Sequence, residues 1–169
     1  MSRFHSYRPE EGHRLAHDPF NAIVGPRPIG WKDTVRNIEA TREFVWNLAT
    51  RPLAEAMNAS CAAVAPEIDE FTLAGVTPLA STRVAAPRVA ESPVSFECRL
   101  SQMLRLTGAD GTAVDSWMVF GEVIAVHIDQ ALLVDGVYDT AAAEPILRGG
   151  GPADYFTIDA AHRFRMWRP

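Results

Sequence analysis

The chain has 169 residues, a net charge of −5, 47% hydrophobic and 22% charged residues. This is enough chain for one domain with a real core, in the composition range of globular proteins. The acidic balance and the lack of any long Lys/Arg block argue against a nucleic-acid partner, and no apolar run is long enough to span a membrane.

Lys32 is the only lysine; arginine supplies the rest of the Lys+Arg total. Cys61 and Cys98 form no C-x-x-C pair and read as buried free thiols in a reducing compartment. The stretch "MSRFHSYRPEEGHRLAHDPF" is polar and lacks the apolar centre of a signal peptide, so the expected location is the cytoplasm.

Residues 1–18 read as an exposed N-terminal arm, and 19–169 as one domain. "FNAIVGPRPIG" fits a strand entering a stiff extended segment, because each proline holds its predecessor in extended space. "DTVRNIEATREF" has helical spacing, with Asp33 or Thr34 as cap. "EFVWNLAT" reads as a short strand. "TRPLAEAMNASCAAVAP" reads as a second helix capped by Thr50 or Arg51, with Leu53, Met57 and Cys61 on one face and Pro66 ending it. "DEFTLAGVTPLAST" reads as turn and loop.

The remainder is mostly β. In "PVSFECRL", Val94, Phe96, Cys98 and Leu100 alternate with Ser95, Glu97 and Arg99. "GADGT" marks a hairpin turn. "SWMVFGEVIAVHID" is a long strand. Strict alternation puts Phe120, Ile124, Val126 and Ile128 on one face and Val119, Val123, Ala125 and His127 on the other. Both faces are apolar, which predicts burial on both sides. Gly121 within it marks a bulge or the close approach of a neighbour. A short strand and turn follow near 131–136, then the glycine-rich "EPILRGGGPADYFTI". The order is α+β, mainly β, built around a barrel or a curled sheet.

Several groups invite a chemical reading. Lys32, Asp33 and Thr34 at a helix start make an anion site, because free N–H groups, the helix dipole and the ammonium all favour a phosphate; a capped surface helix looks the same. "RGGGPADYF" lets backbone approach a ligand but lacks the spacing of a dinucleotide fold. His13 and His17 sit four apart without a further ligand set, so no metal site is assigned. His127 on an apolar strand reads as a packed histidine bonded to backbone before it reads as a catalyst. The four tryptophans read as core or interface aromatics.

Taken together, "HDPFNAIVGPRPIGW", "KDTVRNIEATREFVWNLAT", "GVTPLASTRVAAPRVAESPVSFECRL", "GEVIAVHID" and "ILRGGGPADYFTI…FRMWRP" resemble the flavin reductase-like, FMN-binding split-barrel family. The resemblance covers nearly all of the chain from residue 17 onward. It implies a six-stranded antiparallel split barrel with flanking helices, paired as a homodimer with FMN at the interface. The implied activity is hydride transfer from NADH or NADPH to flavin, in some members as the reductase component of a monooxygenase. By motif, Lys32, Asp33 and Thr34 hold the FMN phosphate, and Arg27, Pro28 and Ile29 line the entry to the first barrel strand. Asn47, Arg148 and Tyr155 match positions near the flavin, and His127 matches the nicotinamide side. Such chemistry asks the protein mainly to position two rings. A non-enzymatic split-barrel dimer, carrying flavin as a redox group or lacking it, is the alternative class.

One departure stands out. After "RPIGW" the family pattern continues through about 35 residues, enough for two strands and their turn, before "KDT". Here the two halves join between Pro28 and Lys32. Either a hairpin is deleted, or a segment of the protein is not represented in this sequence. Deletion would open a closed barrel and expose unpaired edges, and both flanks keep their pattern, so the second explanation is favoured.

Overall fold

The computed structural model describes residues 32–150 and 153–169. Arg27, Pro28, Ile29, the arm and the join before Lys32 therefore lie outside the described residues, as do His13 and His17.

Helix α1 (Asp33–Thr41) buries Ile38 and ends at Arg42, which turns left-handed at φ 63° and returns its N–H to the Ile38 carbonyl. Its cap is Lys32, not Asp33 or Thr34, and the Lys32 side chain makes no capping hydrogen bond. The Asp33 carboxylate pairs instead with Arg36 one turn along.

Strand β1 (Glu43–Asn47) follows, then α2 (Ala54–Ala59). The expected helix from Thr50 is shorter because its first residues are held elsewhere. Thr50 bridges Pro145, and the Arg51 N–H bonds the Glu144 carbonyl at 2.9 Å. Cys61, read as buried, is exposed, whereas Cys98 is buried.

The stretch read as loop contains a third helix, α3 (Glu70–Ala74). The Asp69 carboxylate accepts from the N–H groups of Phe71 and Thr72 and from the Thr72 hydroxyl. Gly75 closes the other end at φ 67°. An aspartate cap and a left-handed glycine bound this one-turn helix without a long periodic run between them.

Strands β2 (Pro78–Leu79) and β3 (Arg88–Val89) form a short antiparallel pair. Strands β4 (Val94–Thr107) and β5 (Ala113–Ile128) form the long hairpin. At its tip Asp110 accepts from the Thr112 N–H and hydroxyl, and Gly111 sits at φ 83°. The main sheet is antiparallel in the order β1-β4-β5.

Paired residues of antiparallel strands share a face. One face carries Phe44 and Trp46 of β1, then Val94, Phe96, Cys98 and Leu100 of β4. The other carries Glu43, Val45 and Asn47, then Ser95, Glu97 and Arg99. On β5 the alternation breaks. Glu97 pairs with Ala125 but Cys98 pairs with Val123, leaving Ile124 as a bulge. Val123 therefore joins the face of Val126 rather than that of Ala125 and His127. Gly121 meets the close-approach expectation: a Cβ there would collide with the Phe44 ring and lie 3.0 Å from the Cys98 Cβ.

Strand β5 is not buried on both sides in the chain described. Phe120, Val123 and Val126 are each about half exposed. The packed core is small and lies at one end of the sheet, where Val94, Leu132 and Ala143 gather Leu48, Phe96 and Tyr138 around them.

Strands β6 (Leu133–Val134) and β7 (Val137–Tyr138) turn through Asp135-Gly136, both at positive φ, as a two-residue hairpin requires. On either side of the glycine-rich stretch, β8 (Ile146–Arg148) and β9 (Tyr155–Thr157) pair antiparallel. The fold is mainly β with few helices. Among the described residues the sheets are small and do not close, and no helix is long and apolar enough to cross a membrane.

Candidate functional site

The polar face of the main sheet carries the densest arrangement of chemistry. Asn47, Ser95 and His127 lie in one row across β1, β4 and β5. The Asn47 Oδ1 accepts from the Ser95 hydroxyl at 2.9 Å and from the Val89 N–H at 3.1 Å. Asn47 thereby ties β3 across the end of β1.

Glu97 lies one row along and is fully buried, at 0% exposure. Its Oε1 accepts from the Thr82 N–H at 2.8 Å and the Thr82 hydroxyl at 3.0 Å, and lies 2.6 Å from His127 Nε2. Its Oε2 accepts from the Arg83 N–H at 2.6 Å. Burial is the largest single influence on this carboxyl and opposes its charge. The bonds from Thr82, His127 and Arg83 together outweigh it and hold the pKa at about 2. Glu43 repeats the device at the next row, where its Oε2 accepts from the Ala85 N–H at 2.8 Å. Two carboxylates of one sheet face thus hold the loop that joins β2 to β3. Burial raises the Cys98 thiol on the opposite face, which disfavours the thiolate.

Two hollows flank this face. A cavity of about 410 Å³ lies between β1, α2 and α3, and Asn47, Leu48, Met57, Phe71 and Val89 are among its walls. It is mostly apolar, as small-molecule sites are. A cleft of about 510 Å³ is bounded by Arg88, Glu91, His127 and Asp129. The Arg88 Nε is buried there without a hydrogen-bond partner.

The candidate residues fall into three groups. Asn47 and His127 come together in the row through Ser95. Lys32, Asp33 and Thr34 sit at the start of α1, with Lys32 and Thr34 exposed. Arg148 and Tyr155 meet across the β8–β9 hairpin. There the Arg148 Nη1 donates to the Tyr155 hydroxyl at 3.1 Å, and the guanidinium lies 5.2 Å from the ring centroid.

Glu97, Ser95 and Thr82 were not among the sequence candidates. In "VSFECRL" the polar positions have the period of a solvated strand face. A buried carboxylate with loop N–H partners leaves the same alternation.

Residues 14–143 match the family model described as flavin reductase like domain. An uncharacterised protein of Aquifex aeolicus is 35% identical over 121 residues, which is 71% of this chain and 58% of that protein. Another from Halalkalibacterium halodurans is 33% identical, over 76% of this chain and 61% of that protein. The chain thus spans about three fifths of the length of these curated relatives. Among solved structures, nitrilotriacetate monooxygenase component B from Bacillus cereus aligns with a TM-score of 0.73 and 26% identity, covering 83% of this chain and 68% of the other. The Pseudomonas fluorescens 2-nitrobenzoate 2-nitroreductase aligns with a TM-score of 0.65 and 27% identity, covering 81% and 64%. Flavoredoxin of Desulfovibrio vulgaris shares the fold, with a TM-score of 0.64 at 22% identity, covering 85% and 71%. With 14–143 accounted for by a single domain model, the chain belongs to the flavin reductase like domain family.

Proposed function

We propose that the chain is an FMN-dependent NAD(P)H:flavin oxidoreductase that works as a homodimer and supplies reduced flavin to a monooxygenase component. The observation that carries this is the likeness to nitrilotriacetate monooxygenase component B. In this reading the protein is a six-stranded split barrel, and a segment not represented in this sequence, belonging between Pro28 and Lys32, supplies the strands that close it.

The start of α1 suits a flavin phosphate. Its cap is a lysine, whose side chain cannot accept from the first N–H groups and so leaves them to an anion. Lys32 supplies a point charge, and the Thr34 hydroxyl is a further donor. The family resemblance assigns Arg27, Pro28 and Ile29, which lie outside the described residues, to the entry of the first barrel strand. Asn47, Arg148 and Tyr155 face the rest of the flavin, and His127 stands on the nicotinamide side. When bound, FMN supplies a two-electron acceptor for hydride from the nicotinamide. The protein's part is to stack the two rings and exclude water between them, which needs no acid–base pair.

Purified protein titrated with FMN is expected to quench flavin fluorescence and to oxidise NADH or NADPH when flavin is present. Protein that binds no FMN at micromolar concentration would refute the reading. Bound FMN without NAD(P)H turnover would select the redox-carrier alternative.

A further inference from the structure

Glu97 is the one charged side chain that is fully buried among the described residues. A buried carboxylate is costly unless its oxygens are satisfied. Here the partners come from two places. Thr82 and Arg83 belong to the loop between β2 and β3, and His127 belongs to β5. An ionised carboxylate only accepts, so His127 donates through Nε2. In the neutral ring Nδ1 then carries the lone pair.

We propose that Glu97 is a positioning residue for His127. One carboxylate fixes the ring as its Nε2–H tautomer and ties it to the Thr82–Arg83 loop, so that Nδ1 is the hydrogen-bond acceptor His127 offers to a ligand. The inference rests on the reading that His127 works on the nicotinamide side, where a carboxamide N–H is the matching donor. It differs from a simple buried ion pair in what it constrains. Ring, loop and strand share a single anchor, so the wall of the cleft beside Arg88 and the loop cannot rearrange independently.

Other charged groups surround the pair. Glu43, Arg99 and Glu122 share the sheet face one row further on. Arg83 belongs to the loop, and Arg88, Glu91 and Asp129 line the cleft. Glu43 is itself occupied by the Ala85 N–H. Among the described residues none of these others hydrogen-bonds the ring, and Glu97 Oε1 at 2.6 Å is the acceptor that decides its tautomer.

The first test uses the wild-type chain and no cofactor. Long-range ¹⁵N–¹H spectra of the His127 ring in alkaline buffer are expected to show the proton on Nε2. A proton on Nδ1, a rapidly exchanging mixture or a ring still doubly protonated would overturn the proposal. The second test is amide hydrogen exchange at Thr82 and Arg83. Glu97→Gln replaces one acceptor oxygen by an NH₂ group, which cannot accept from a backbone N–H, so protection falls at whichever of the two amides that group faces. His127→Ala leaves it in place. Loss of protection in His127→Ala, or its retention at both amides in Glu97→Gln, counts against the shared anchor.

The third test is kinetic. Glu97→Gln and His127→Ala are each expected to lower kcat/KM for the nicotinamide substrate by about tenfold, the upper end for one hydrogen bond between neutral groups. The double variant should be no worse than His127→Ala, because Glu97 acts through the ring. Effects that multiply would overturn the coupling. A chain with no NAD(P)H oxidation at all would sink the oxidoreductase reading, while the ring spectrum and the exchange data still decide the positioning role. They also decide it if Glu97→Gln fails to fold, since the wild type and His127→Ala suffice.

Discussion

The ring of Phe44 on β1 fills the space that a side chain at Gly121 on β5 would need. The two strands are not neighbours; β4 runs between them. Phe44 therefore reaches across Cys98 to the backbone of the far strand, and one glycine lets the apolar face pack across all three strands. Gly121→Val would force the ring out of this position. The expected cost is about 2 kcal/mol, as for overpacking elsewhere. A drop in the urea midpoint with an unchanged slope would register it, and an unchanged midpoint would show that the ring moves freely.

Glu97 makes stability depend on acid. Its folded pKa of about 2 lies below the ordinary 4.5, so on acidification the unfolded chain takes up a proton before the folded one does. The contribution is present in full above about pH 4.5 and is lost as pH falls toward 2. Denaturation midpoints collected across this window should fall steeply for the wild type and more shallowly for Glu97→Gln. Parallel curves would mean that the carboxyl has no depressed pKa.

If Lys32 holds a flavin phosphate, removing its charge should weaken FMN binding by about tenfold or more, the scale of one charge-assisted hydrogen bond. Lys32→Ala is read by fluorescence quenching, with riboflavin as the control that lacks the phosphate. Equal losses for both ligands would place the lysine elsewhere in the site.

The apolar sheet face leaves Val126 53% exposed, close to Val123 and Ile128. We take this patch as part of the interface of the proposed homodimer. In the proposed homodimer, Val126→Asp should shift sedimentation from dimer toward monomer and weaken FMN binding in parallel. A dimer unaffected by this charge would move the interface off the face.

The elements with strong local signals were legible. The Asp110-Gly111 turn, the long hairpin and α1 all follow from residues close in sequence. The helix over 70–74 was not, because its evidence is two terminal caps rather than a run of apolar positions. The second helix was overextended, because Thr50 and Arg51 are claimed by contacts with Pro145 and Glu144 far along the chain. The same distance problem hides the centre of the site. Asn47 and His127 came from a family resemblance. That Ser95 lies between them, and that Glu97 anchors the ring, depend on pairing registers and on loop N–H groups that no local pattern encodes.

The bulge at Ile124 has a consequence for how insertions and deletions would be tolerated. Gly121 and His127 are an even number of positions apart, so a regular strand would point them the same way. The extra residue lets one receive Phe44 on the apolar face and the other meet Glu97 on the polar face. Deleting Ile124 would leave composition and hydropathy almost unchanged, yet would send one of the two contacts to the wrong side of the sheet. Ile124 is in this sense a spacer whose presence matters more than its chemistry. Polar or apolar replacements there should be better tolerated than the loss of a single codon.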